Sequence, residues 1–165
     1  MNEQGRVIAS MLPVRPTSGR DRSLFLDGMR ADLTALTSIR HRLAQFAGEI
    51  GLPADTTGDV LLATYEALAN AAEHAYPSEA DGTVDLRVVD HVDDGVLSVS
   101  VVDRGSWKPE VDNSRARRGR GVRLMRACSD DVRIETDDEG TRIYMQWKYG
   151  TDHASLPDVQ QQEES

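Results

Sequence analysis

The chain has 165 residues, of which 39% are hydrophobic, and a formal net charge of −9 at pH 7. This length and composition predict one globular domain with a buried core and exclude fibrous and membrane-spanning classes. A single cysteine excludes an internal disulfide, and no segment has the pattern of a secretory leader, so we expect a cytoplasmic protein without membrane contact. The acidic charge argues against direct nucleic-acid binding.

Composition divides the chain into three parts. Residues 1–22 predict a flexible N-terminal segment and residues 150–165 a flexible tail, because both are polar and lack periodicity. The remaining residues, 23–149, form the predicted folded domain. It opens with a short strand, LFLDGM, followed by a helix over 31–51 whose apolar residues recur every three or four positions.

A second helix is predicted from Pro53 to about Ala75, with one buried stripe: Leu61, Tyr65, Leu68 and Ala72. Valine-rich segments at 83–90 and 96–103 predict a hairpin, and segments at 132–137 and 141–148 predict another. Two helices followed by two hairpins predict an α+β fold. We expect a two-layer sandwich, with a mixed, mainly antiparallel sheet covered on one face by helices.

Polar side chains recur every four residues within EALANAAEHAY, the segment 66–76. This spacing places Glu66, Asn70 and His74 on one helix edge, together with Leu62 four residues earlier. The small alanines between them would let a ligand approach this edge. One carboxylate and one imidazole make a poor transition-metal site. Mg²⁺ fits the stripe better, because it prefers oxygen ligands and needs few from the protein when phosphates supply the others. Packing or helix capping is the alternative role of His74.

The stretch 104–126 carries eight basic and two acidic residues in an otherwise acidic chain. We predict a basic loop followed by a short helix, GVRLMRAC, with Gly119 and Gly121 at its start. Exposed N–H groups and the helix dipole would favour a phosphate there. A solvated basic face and a flexible glycine turn are the alternatives.

The ends of two predicted strands supply a further cluster, with Asp103 and Gly105 after one strand and Gly140 and Thr141 before another. An aspartate in this position is often only a turn former. A buried carboxylate can instead accept a hydrogen bond from an exocyclic amino group, which would favour adenine over guanine.

In this order, the motifs E-x-x-x-N, D-x-G, G-x-G and G-T resemble those of the GHKL ATP-binding superfamily. Over about residues 23–148 the chain is most similar to anti-sigma factor serine/threonine kinases of the RsbW and SpoIIAB type. The resemblance implies the Bergerat ATP-binding fold and the use of ATP and Mg²⁺. Glu66 would be the general base and Asn70 the magnesium ligand, and the implied nucleotide-binding residues are Asn70, Asp103, Gly105, Arg117, Gly119, Arg120, Gly121 and Thr141.

Particular roles follow from the same resemblance. Asp103 would bind adenine with support from Thr141, and Arg117 would be a basic lid residue near the terminal phosphate. After Gly105 the chain reads Ser-Trp-Lys-Pro, where relatives often have a second glycine, which implies a stiffer lid.

The implied function is that of an ATP-dependent anti-sigma factor. It would bind a sigma factor and phosphorylate an anti-sigma factor antagonist, a STAS-domain protein, and it would form a homodimer. Two alternatives stay open: an ATP-binding regulatory module without phosphotransfer, and a kinase-like domain of a larger phosphatase or sensor protein.

Overall fold

The computed structural model describes residues 14–75, 82–105 and 115–150, with the side chains of residues 74, 75 and 115–119 outside that description. The elements, in chain order, are β1 (Arg22–Arg30), α1 (Leu33–Glu49), α2 (Ala54–Asn70), a π-helical turn (Ala71–Ala75), β2 (Thr83–His91), β3 (Val96–Asp103), α3 (Arg115–Ala127), β4 (Asp131–Asp137) and β5 (Gly140–Lys148). None of the described helices is long and apolar enough to cross a membrane.

The strands form one five-stranded sheet in the order β1-β2-β3-β5-β4. Both predicted hairpins are present, and all four strand pairings are antiparallel. The predicted two-layer α+β sandwich is therefore confirmed, with a described sheet that contains only antiparallel pairs. Because β5 lies between β3 and β4, the end of β3 is adjacent to the start of β5, and Asp103 is directly opposite Thr141.

The helices cover one face of this sheet. Asp32 begins α1 by accepting a hydrogen bond from the backbone N–H of Ala35 at 2.8 Å. Apolar residues of α1 and α2 pack against alternate residues of the strands, and the buried set includes Leu36, Ile39, Leu43, Val60, Ala67, Leu68, Leu86, Val88, Val99, Val101 and Met145. Side chains at the intervening strand positions lie on the opposite face.

The predicted buried stripe of the second helix is partly wrong. Leu68 is buried, but Tyr65 is 37% exposed and Leu61 and Ala72 are only partly buried. The buried face is shifted and consists of Val60, Ala63, Thr64, Ala67 and Leu68. It contains two alanines because α2 contacts α1, α3 and the sheet at once, and small side chains allow these close approaches.

Residues 14–21 lie on the sheet face opposite the helices. The N–H of Val14 donates to Oγ of Ser100 at 3.4 Å, and Asp21 accepts a bond of 2.8 Å from the N–H of Thr17. Nδ1 of His91 lies 3.1 Å from the same Asp21 carboxylate. Contacts with the domain thus begin upstream of residue 23, the predicted boundary.

An ion pair between the exposed Arg22 and a buried carboxylate joins the start of β1 to the rest of the domain. The guanidinium of Arg22 donates to Asp90 at 2.8 Å, and Asp90 is completely buried. Arg22 also donates to the carbonyls of Glu49 and Ile50 at the end of α1, and the hydroxyl of Tyr149 donates to Asp90. One carboxylate therefore connects α1, β1, β2 and the residue after β5.

We expect Arg22→Met to destabilise the domain strongly, because it leaves the Asp90 carboxylate buried without its cation. Removing the donor to a buried acceptor costs about 1–3 kcal/mol in the free energy of unfolding, and the Arg22 side chain, which is 43% exposed, keeps the loss within this range. Urea denaturation would measure this change. Arg133→Met is the matched control, since the Arg133–Asp131 pair is exposed and should change the value by no more than about 0.5 kcal/mol. An equal loss in the free energy of unfolding of the two variants would contradict the role of the Arg22–Asp90 pair.

Candidate nucleotide-binding site

Glu66 and Asn70 occupy adjacent turns of α2, and both are half-buried beneath α3. The backbone of α3 reaches them at Gly121. A Cβ added to this glycine would lie 3.2 Å from Oε2 of Glu66 and 3.5 Å from both amide atoms of Asn70. The glycine therefore lets a helix backbone lie directly against the carboxylate and the amide.

The helix changes character immediately after Asn70. Residues Ala71–Ala75 form a π-helical turn, which is wider than an α-helical turn and occurs frequently at functional sites. The fourfold spacing of the predicted stripe is observed on the α-helix from Leu62 to Asn70, and the place of His74 on that stripe stays a prediction. The side chain of His74 lies outside the described residues, as does all of Tyr76.

The carboxylate of Asp103 lies at the end of β3. Asp103 shares a strand face with Val99 and Val101, so it points toward the helical layer, and it is only 6% exposed. Its Oδ1 accepts hydrogen bonds from the N–H groups of Gly105 at 3.2 Å and Thr141 at 3.3 Å. Oδ2 can then accept a bond from a ligand.

Burial raises the pKa of Asp103 above its ordinary value of 3.8, and the N–H groups of Gly105 and Thr141 oppose this shift. An ionised carboxylate in this position is incompletely solvated. A ligand that donates a hydrogen bond, such as an exocyclic amino group, would stabilise it.

The absence of a side chain at Gly140 allows the start of β5 to pack against the backbone of Asp103. A Cβ at Gly140 would lie 2.0 Å from the backbone oxygen of Asp103 and 2.9 Å from Cα of Arg104, and its φ is 138°. No other residue can fit here without moving a strand. Sequence reasoning noticed Gly140 as a neighbour of Thr141 and did not include it in the site, because the close approach arises from strand order.

The basic stretch differs from its prediction. Helix α3 begins at Arg115, so Gly119 and Gly121 lie inside the helix and the predicted helix start is wrong, while their phosphate-binding role stays a prediction. Arginine is a strong helix former and extends α3 past the unfavourable glycines. Arg120 is exposed. The side chain of Arg117, the surroundings of Gly119 and the segment 106–114 with Trp107 are outside the described residues.

The structure thus brings the predicted site residues together as two groups. Glu66, Asn70 and Gly121 form one group, and Asp103, Gly105 and Thr141 form the other. Both groups lie between the sheet and the helices, because α2 packs against β3 and β5. Arg120 is exposed one residue before Gly121, and the surroundings of Arg117 and Gly119 are outside the described part of the chain.

The Glu66–Asn70 group offers oxygen ligands of the kind that Mg²⁺ prefers. Among the described residues, no cluster of three or more histidine, cysteine or acidic side chains could hold a metal ion. A magnesium ion here would depend on the Asn70 amide oxygen, on water and on phosphate oxygens.

Comparison with known proteins identifies the fold. A family model described as a histidine kinase-like ATPase domain matches residues 29–147. The anti-sigma F factor of Priestia megaterium is 30% identical over 117 residues, which cover 64% of this chain and 79% of that protein. The serine-protein kinase RsbW of Bacillus licheniformis is 29% identical, over 60% of this chain and 69% of that protein.

One solved structure, of the RsbU and RsbW domains of a Mycobacterium tuberculosis protein, has a TM-score of 0.63 at 24% identity. The match covers 77% of this chain and 32% of that one, so this chain spans about a third of its length. Fold and motif order agree with the family model. The chain belongs to the histidine kinase-like ATPase domain family, which confirms the resemblance predicted from its motifs.

We expect Asp103→Asn to stabilise the ligand-free domain at pH 7 while weakening ATP binding. Burial raises the folded-state pKa, so the folded protein holds this proton more tightly than the unfolded chain, and the ionised carboxylate destabilises the fold as pH rises through that pKa. Asparagine avoids this penalty. Its amide would direct a donor at the adenine amino group and weaken ATP binding by about 1–3 kcal/mol.

Urea denaturation between pH 3 and pH 8 measures the first effect. The stability advantage of the variant should disappear below the ordinary aspartate pKa of 3.8. ATP and GTP titrations measure the second effect, and the preference for ATP should decrease. A stability difference that does not change with pH would contradict the inferred burial of charge.

We expect Gly121→Ala to separate stability from activity. Alanine in a helix interior is favoured over glycine by up to about 1 kcal/mol, but the new Cβ displaces the Glu66 carboxylate by a few tenths of an ångström. ATP turnover should fall without loss of thermal stability. Gly58→Ala in α2 is the matched control, because a Cβ there meets nothing within 4 Å, and its turnover should remain at the wild-type rate. Equal turnover in both variants would contradict the proposed packing role.

Proposed function

We propose that this chain is an ATP-dependent anti-sigma factor with serine/threonine kinase activity toward an anti-sigma factor antagonist. The observation that carries the proposal is the Glu66 carboxylate beside the Asn70 amide under Gly121, within a histidine kinase-like ATPase domain. A module that only binds nucleotide needs no positioned base. The names of two relatives, an anti-sigma F factor and a serine-protein kinase, support both parts of the proposal.

In the proposed reaction, the hydroxyl oxygen of a serine or threonine attacks the γ-phosphorus of ATP. The proton of that hydroxyl passes to Glu66, and the bond from the γ-phosphorus to the bridging oxygen breaks, so ADP leaves with the electron pair. Asp103 orients the nucleotide by accepting a hydrogen bond from the adenine amino group. Bound Mg²⁺, held through Asn70, would neutralise phosphate charge.

The proposed partners are a sigma factor and a STAS-domain antagonist, and the proposed location is the cytoplasm. A homodimer is also part of the proposal. Among the described residues β1 pairs only with β2, and its nine residues leave one edge for a second copy to use. The proposed kinase domain extends to residue 149, and it begins upstream of the predicted boundary at residue 23, because residues 14–22 contact the sheet.

Two substitutions on α2 test the chemistry. Glu66→Gln should leave ATP affinity close to that of the wild type and slow phosphate transfer by roughly 10²–10⁴, the usual contribution of a positioned base. Asn70→Ala should weaken magnesium-dependent ATP binding itself. The rate of phosphate transfer is measured with γ-labelled ATP and purified STAS-domain proteins of the same genome. The affinity for ATP is measured by calorimetry with and without Mg²⁺.

Glu49→Gln provides the matched control, since it removes an exposed carboxylate from α1 and should change neither quantity. If Glu66→Gln transfers phosphate as fast as the wild type, Glu66 is not the base. If the wild type binds ATP but transfers nothing to any antagonist, the regulatory module without phosphotransfer replaces the kinase.

A further inference from the structure

Asp85 is a buried carboxylate that the proposed chemistry does not use. It lies in β2, opposite Val102 of β3, and is 8% exposed. Its neighbours Val84 and Leu86 belong to the core, so Asp85 points to the other face of the sheet, away from the helices. A carboxylate with so little access to water needs partners of its own.

Both oxygens of Asp85 have a partner. Oδ1 accepts the backbone N–H of Gly28 at 2.6 Å, and Gly28 lies at an irregularity in the pairing of β1, between Leu26 and Met29. Oδ2 accepts a bond from the guanidinium of Arg104 at 2.6 Å. Asp85 therefore connects the bulge of β1 to the residue that follows Asp103.

Arg104 occupies the turn that orients the Asp103 carboxylate. The N–H of Gly105, the next residue, donates to Oδ1 of Asp103, so the path of the chain through Arg104 determines where that donor lies. Gly140 limits this path from one side, with its Cα packed against the backbone of Asp103 and Arg104. Asp85 holds the same turn through the Arg104 side chain.

We infer that Asp85 is a positioning residue of the adenine site and acts through Arg104. This inference rests on the proposed ATP binding. The Arg104 side chain is 60% exposed, and an ion pair with an exposed cation contributes little to folding. Its effect should therefore be seen in nucleotide binding, where a pre-organised turn avoids an ordering cost.

Asp85→Asn tests the inference with little change in shape. The amide oxygen can still accept the Gly28 N–H, while the charged partner of Arg104 is lost. The Kd for ATP, measured by calorimetry, should rise about three- to tenfold. The preference for ATP over GTP should decrease, and the midpoint of urea denaturation should change little.

Asp27→Asn is the matched control. Asp27 and Arg87 form an ion pair of 3.1 Å between the same two strands, β1 and β2, without contact to the turn. This variant should bind ATP with wild-type affinity. If Asp27→Asn weakens ATP binding as much as Asp85→Asn, a general loss of charge explains the effect and the inference is overturned.

A double-mutant cycle distinguishes positioning from direct contact. If Asp85 acts through Arg104, then Arg104→Gln should weaken ATP binding in the wild type and have little further effect in Asp85→Asn. Additive effects would mean that Arg104 meets the nucleotide independently, which overturns the inference. The single Arg104→Gln variant also provides a test if Asp85→Asn fails to fold, because wild-type affinity in that variant overturns it too.

The same titrations separate this inference from the proposed function. A wild-type protein that binds no ATP overturns the proposed function together with the inference. A wild-type protein that binds ATP, with Asp85→Asn at equal affinity and equal nucleotide preference, overturns the inference alone.

Discussion

The proposed adenine side of the site depends on one close backbone contact, the approach of Gly140 in β5 to the carbonyl of Asp103 in β3. A side chain at position 140 would overlap that carbonyl, with its Cβ 2.0 Å from the oxygen. Because the contact is possible, Thr141 lies opposite Asp103 and its N–H reaches the carboxylate. The order β3-β5-β4 is what brings the second hairpin to the end of the first one.

The two groups of site residues are held in different ways. Asp103, Gly105 and Thr141 depend on backbone hydrogen bonds at a strand end, whereas Glu66 and Asn70 depend on the packing of α3 against α2 at Gly121. Both arrangements reduce stability, through a buried carboxylate in one case and a glycine inside a helix in the other. Features that oppose folding and lie together in this way are typical of functional sites.

Local sequence patterns predicted most of the fold. The strands, their hairpins and α1 follow from alternation, turn residues and helical spacing, and their predicted bounds lie within two residues of the observed ones. Glu66 and Asn70 were predicted to act together because their fourfold spacing places them on one face of a single helix. The support of Asp103 by Thr141, which lies on another strand, was implied by the family resemblance. The catalytic or binding role of each of these residues stays a prediction.

What local patterns missed depends on distant neighbours. The exposure of Tyr65 follows from the contacts of α2 with α1, α3 and the sheet, and the sequence pattern predicted an ordinary helix where the structure has a π-helical turn at Ala71–Ala75. The start of α3 was predicted at Gly119 and Gly121, whereas the helix begins upstream at Arg115, within an arginine-rich stretch.

The Asp85–Arg104 pair is another case, since its residues are 19 positions apart and meet only when β2 pairs with β3. Together with the hydrogen bond from Gly105 to Asp103, this pair restrains the turn at Arg104 from both faces of the sheet. On the helical face, the described restraints on the turn are the Asp103 carboxylate and the backbone N–H groups that donate to it, and they leave room for the proposed nucleotide. On the opposite face, the Asp85–Arg104 ion pair holds the same backbone. A strand end that is restrained from both faces can remain rigid while the helices beside it move.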